Sequence, residues 1–250
     1  MVALSFSSAL VNAFLGGGYG TYLVPFALYL GLAPVEVVPA VLFVHAIVNL
    51  IPHLIGRVAG RKRVALVPDE RRAFATLLAF GVVGMAASTV LVGVLRPRIV
   101  QALVGAATLG VGALVALRSK VPPKSKASWY TLKRVGGVGL VAAFCKGLTG
   151  GGYGTLVAGG QVLCGVEGRS AAKVNSLSNG LLSALGVAFF VAGDPSALNP
   201  SIALVLLTGA LPALPVARLI FRGLPNQQLV RFDAGLIVAL GLVTLVLAVA

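Results

Sequence analysis

Gly16-Gly17-Gly18-Tyr19-Gly20-Thr21 recurs letter for letter as Gly150-Gly151-Gly152-Tyr153-Gly154-Thr155, 134 residues further along the chain. At the same offset Ala9 matches Ala143 and Gly31 matches Gly165, with no gap needed. Six identical consecutive residues at equivalent places identify an internal duplication. Each copy sits inside an over-long apolar stretch, Val2–Gly31 and Val135–Gly165, and interrupts it.

Outward from these runs the chain is nearly all apolar. Of 250 residues 58% are hydrophobic and 10% are charged, and the mean hydropathy is +1.00. A soluble domain carries roughly 25% charged residues, so lipid must be the solvent for much of this surface. Against the roughly 20 apolar residues that a membrane-spanning helix needs, six further segments emerge. They are Val37–Gly56, Ala73–Leu95, Ile99–Leu117, Val174–Gly193, Ser201–Phe221 and Phe232–Ala250. The expected fold is an all-α polytopic membrane protein. Residues 1–117 and 135–250 form two four-segment repeats, joined by the basic linker 118–134 with its Pro122-Pro123.

The net charge of +14 does not indicate a nucleic-acid partner, because Lys and Arg cluster in short stretches between apolar runs, as the positive-inside rule requires. Their arrangement also bears on topology. If all eight segments span, Arg96, Arg98, Arg169, Lys173, Arg218, Arg222 and Arg231 face the side opposite the two large basic clusters at 57–72 and 118–134. If the fifth segment enters and leaves by one face, as a helix–glycine turn–helix hairpin, only Arg96 and Arg98 remain outside. The hairpin fits the rule far better. Extended to the first segment by symmetry, it leaves three spans per half, an odd number, so the two repeats are expected to be inverted. Inverted repeats are a common plan of secondary transporters. The alternative is that each glycine cluster only kinks a spanning helix.

Irregular backbone at membrane depth survives only where protein, water or a ligand satisfies its amides and carbonyls. Three glycines allow positive φ and close approach of a ligand, and a half-helix starting near Thr21 or Thr155 aims its N–H groups at that point. Two such ends would make a small anion site. Close packing through small residues is the other reading. Lys146, four positions before Gly150, is the only basic residue deep inside an apolar segment, Arg218 standing near the end of Ser201–Phe221. It is expected either to give positive charge to the anion or to snorkel to the interface. Its first-half counterpart is Asn12. Asn175, Ser178, Asn179 and Ser183 share one face of the sixth segment, while His45, Asn49 and His53 form a stripe on the second. In the duplication His45 aligns with Asn179 and Asn49 with Ser183. These polar groups would line a path or bridge helices, and His45 could carry protons. Tyr19 and Tyr153 are expected as site walls.

No enzyme signature is present: the glycines are followed by Tyr-Gly-Thr rather than Gly-Lys-Ser/Thr, and there is no HExxH motif. No cofactor or metal is expected. Cys145 and Cys164, in apolar surroundings, read as packed residues rather than a disulfide or metal pair. No Lys or Arg precedes the first apolar stretch, so a cleaved secretory leader is not expected.

The two stretches Leu15-Gly16-Gly17-Gly18-Tyr19-Gly20 and Thr149-Gly150-Gly151-Gly152-Tyr153-Gly154, with the four-plus-four layout, resemble the TauE/SafE family of sulfite exporters over essentially the whole chain. The resemblance implies a plasma-membrane permease for sulfite, an organosulfonate such as sulfoacetate, or thiosulfate, with the two glycine motifs as the substrate region. No family rule assigns Lys146. A potential of 100 mV, inside negative, favours export of each anionic charge by about 2.3 kcal/mol, and no intramembrane carboxylate is present to bind Na⁺ for uptake. Export is therefore expected, with the main basic loops cytoplasmic. An importer of thiosulfate or a related compound, or a non-transporting membrane scaffold, are the alternatives. A homodimer is compatible with the sequence, which sets no oligomeric state.

Overall fold

The computed structural model describes residues 1–15, 19–58, 66–118, 132–154, 156–157 and 168–220, with residues 235, 238, 239, 241–246 and 248. The described elements are helices: α1 (Val2–Leu15), α2 (Tyr19–Tyr29), α3 (Pro34–Val58), α4 (Pro68–Val94), α5 (Pro97–Arg118), α6 (Leu132–Thr149), α7 (Gly168–Gly193) and α8 (Pro200–Ile220). Short helical stretches begin at Tyr153 and cover 241–246.

Local chemistry accounts for the boundaries. Proline opens α3, α4, α5 and α8, where its missing N–H has no partner to lose and its φ suits the first turn. Glu70 accepts from the Val67 amide at 2.9 Å, and Asn199 Oδ1 accepts from the Ser201 amide at 3.0 Å, so two helix starts are capped. Where the residues are described, the expected segments agree with these helices to within six residues at each end, while about half of Phe232–Ala250 and the end of Val135–Gly165 lie outside the described residues. Four described stretches are long and apolar enough to cross a bilayer: Pro34–Gly56, Pro68–Val94, Lys173–Gly193 and Pro200–Ala217. Along α4, Phe80, Val83, Val90 and Val94 are exposed. In water such a stripe would drive aggregation; against lipid it is at home.

Of the two expected interruptions, the first falls on residues 16–18, outside the described residues. α1 ends at Leu15 and α2 begins at Tyr19. The hydroxyls of Ser5 and Tyr19 lie 2.8 Å apart. In one unbroken helix their Cα atoms would be about 21 Å apart, beyond the reach of a tyrosine, so α1 and α2 do not run on as one straight helix. The second interruption follows α6. Gly150 and Gly152 take φ of 65° and 80°, the left-handed region open to glycine.

The halves are packed through each other. α6 of the second half lies on α4 of the first, and α1 of the first lies on α8 of the second. Likewise α4 packs on α7 as α8 packs on α3, and α3 packs on α7 itself. Exchanging the halves maps these contacts onto one another. Glycines set the directions. Leu42 touches Gly186 while Leu50 touches Gly180, so α3 and α7, equivalent in the duplication, run antiparallel. Gly136 meets Phe80 and Gly147 meets Ser88, so α4 and α6 run parallel. A Cβ at Gly84 would overlap the Leu140 carbonyl oxygen; backbone-to-backbone approach of this kind is how membrane helices gain contact without a hydrophobic driving force.

Candidate functional site

Lys146 of α6 meets His45 of α3. The side chain is fully buried, so it does not reach an interface, and its Nζ lies 3.0 Å from His45 Nδ1. His45 is the twelfth of the twenty-five residues of α3, a helix about 37 Å long. The pair therefore stands near the middle of the bundle. As an ammonium Lys146 only donates, so Nδ1 accepts and the ring proton belongs on Nε2. The Tyr19 ring packs against the imidazole with centroids 5.1 Å apart and planes tilted by 44°. Ser5 gives its proton to the Leu206 carbonyl at 2.5 Å, so Tyr19 must donate to Ser5. Tyr19 is thus pinned by α1 and α8. Among the described residues no carboxylate lies within ion-pair distance of Lys146; the ion pair found joins Lys173 to Glu70 at 2.6 Å.

The two glycine motifs touch. A Cβ at Gly20 would fall on the Gly150 carbonyl and 2.6 Å from the Gly151 nitrogen, and one at Gly151 would overlap the Thr21 amide nitrogen. Only glycine permits this approach. Gly150 also rests against Val24 of α2 and Val41 of α3. Thr149 Oγ1 donates toward the Cys145 and Gly151 carbonyls (2.9 and 3.0 Å) and accepts from the Gly151 amide at 3.1 Å, stapling the turn. After it, the Leu156 amide donates to the Gly152 carbonyl at 3.2 Å, so a helical turn starts from the glycines. Asn175 Nδ2 donates to the Gly154 carbonyl at 3.0 Å and ties that turn to α7. Tyr153 is fully buried.

Asn12 and Asn179 are both buried, and their Oδ1 atoms, like Thr21 Oγ1, have no hydrogen-bond partner among the described residues. Buried acceptors without partners are uncommon and call for a reason. Asn49 donates to the His45 carbonyl (2.8 Å) and Ser183 to that of Asn179 (2.6 Å), equivalent bonds at equivalent positions of the duplication. Gly16, Gly17, Gly18 and Thr155, also expected at the site, lie outside the described residues. Sequence reasoning missed Ser5 and Thr149. Thr149, directly before the glycines, carried a signal; Ser5, 201 residues from its carbonyl partner, carried none. No cluster of three metal-binding side chains occurs among the described residues.

The chain matches the family model for the sulfite exporter TauE/SafE over residues 1–244. Neither a curated protein nor a solved structure matches it. With apolar helices of spanning length, two glycine-broken segments and a match running nearly end to end, the chain belongs to the TauE/SafE family, a family of integral membrane transporters of sulfur-containing anions.

Proposed function

We propose that the protein exports a small sulfur-containing oxyanion, sulfite or an organosulfonate such as sulfoacetate, by alternating access at a site between the two glycine turns. The observation that carries this reading is a lysine, fully buried near the middle of the bundle, with no carboxylate to neutralise it among the described residues. A buried charge without a counter-ion is costly, and an anion bound beside it offsets that cost. The start of α2 beside Gly151, with the Thr21 amide in its first turn, would supply N–H groups of the kind a desolvated oxyanion needs.

The hairpin topology supports the same reading. Glu70 stands at the start of α4 and Lys173 at the start of α7, and their ion pair joins these two ends. If α4 and α5 each cross the membrane, the segment between α5 and α7 must leave by the face it entered. The antiparallel run of α3 and α7, equivalent helices of the two repeats, is what inversion of the repeats requires. On this topology all basic loops but that of Arg96 and Arg98 are cytoplasmic, and the membrane potential drives the anion outward.

Sulfite should raise the thermal stability of the purified chain in a concentration-dependent way. Lys146→Met should weaken that response at least tenfold, the scale of losing one charge-assisted contact in a desolvated site. An unchanged response in a folded variant would take Lys146 out of the site.

A further inference from the structure

A cleft of about 550 Å³ lies away from Lys146, at the ends of α4 and α7 opposite the Glu70–Lys173 pair. Its walls are Ala86, Val90 and Val94 of α4, Phe189 and Phe190 of α7, and Val35 at the start of α3. From Ala86 to Val94 it follows α4 for about 12 Å, much of the roughly 15 Å depth of one leaflet's hydrocarbon. Val90 and Val94 also belong to the exposed stripe of α4, so the groove is continuous with the surface that faces lipid. Thr89, a polar side chain of the lining, turns its hydroxyl to the Met85 carbonyl at 2.9 Å and offers nothing to a solute. The one charged residue of the lining is Asp194 at the mouth, which has the wrong sign for an anion pathway.

We infer that this cleft holds one acyl chain of a phospholipid from the non-cytoplasmic leaflet, with Asp194 receiving a primary-amine headgroup. Asp194 is exposed, and its Oδ1 accepts from the Ser196 amide and hydroxyl at 2.8 and 2.7 Å, which leaves Oδ2 to face outward. Those two bonds hold the carboxyl below its usual range, so it stays ionised. Exposed Arg96 follows Val94 by two residues, placing a guanidinium at the same end for the phosphate. A tail without a headgroup contact would bind any lipid; the carboxylate is what selects the amine.

Native mass spectrometry of the full chain, with phosphatidylethanolamine and phosphatidylglycerol in equal amounts, tests this without relying on transport. The amine lipid should be retained preferentially. Asp194→Asn should reduce that preference roughly two- to fivefold, the range of an exposed ion pair. Gly93 lines the cleft, and a Cβ built on it meets nothing within 4 Å. Gly93→Trp should therefore fill the groove and abolish the adduct without lowering the Tm. Equal retention of both lipids by the native chain, or an adduct that survives in folded Gly93→Trp, overturns the inference. So does a Gly93→Trp variant that keeps its lipid and loses only the thermal response to sulfite, because the cleft would then serve the anion.

Discussion

Single residues in this bundle divide into those that hold the backbone and one that holds charge. Gly20 and Gly151 lie where two main chains meet, and neither backbone can move aside without disturbing its own helix. Gly20→Ala or Gly151→Ala should each destabilise the protein by about 1–3 kcal/mol through overpacking, read from the unfolding of the purified protein. Gly110→Ala is the control: it has open space around it, and alanine there should be neutral or stabilising by up to about 1 kcal/mol. Lys146 behaves oppositely. Replacing a buried, unneutralised ammonium by methionine removes a desolvation cost, so Lys146→Met should keep or raise stability while anion binding falls. A variant that lost both together would make Lys146 a packing residue.

The helices as elements were largely legible in the sequence, since length, hydropathy and proline at the first turn act locally. The glycine breaks were legible for the same reason: a run that cannot be a regular helix at membrane depth declares itself. Which helix lies beside which was not. Lys146 pairs with His45 across 101 residues and Ser5 with Leu206 across 201, and no periodicity encodes such neighbours. The duplication named His45 and Lys146 separately, as counterparts of Asn179 and Asn12, without bringing them together. The Glu70–Lys173 pair, equally invisible in the sequence, is the contact on which the proposed hairpin rests. Glu70→Cys with Lys173→Cys, in a background lacking Cys145 and Cys164, should therefore be joined by a bifunctional thiol reagent spanning about 10 Å, the reach of the two side chains that the pair replaces. Cysteines placed singly at Arg61 and Arg169 should both react with an impermeant thiol reagent only from the cytoplasmic face. Labelling from opposite faces would restore eight simple spans.

At the scale of the whole molecule, the proposed alternating access would have two interlocked halves exchange conformations while keeping their overall set of contacts. The exchange is not perfect in chemistry: Lys146 and His45 of one arrangement correspond to Asn12 and Asn179 of the other. One positively charged and one neutral version of the same contact would give an anion different company in the two states, which is what directional release needs. If export is uncoupled, a potential of 100 mV should hold a monoanion at an outside-to-inside ratio of about fiftyfold, and dissipating the potential should collapse it. On the proposed mechanism, a positive charge beside touching glycine turns carries the anion across the bilayer. The most direct measurement is the flux of radiolabelled sulfite in liposomes containing the native chain or Lys146→Met, with folding of both verified. The native chain should move sulfite down the imposed potential, and the variant at least tenfold more slowly. A variant as fast as the native chain, or no sulfite flux in either, would contradict it.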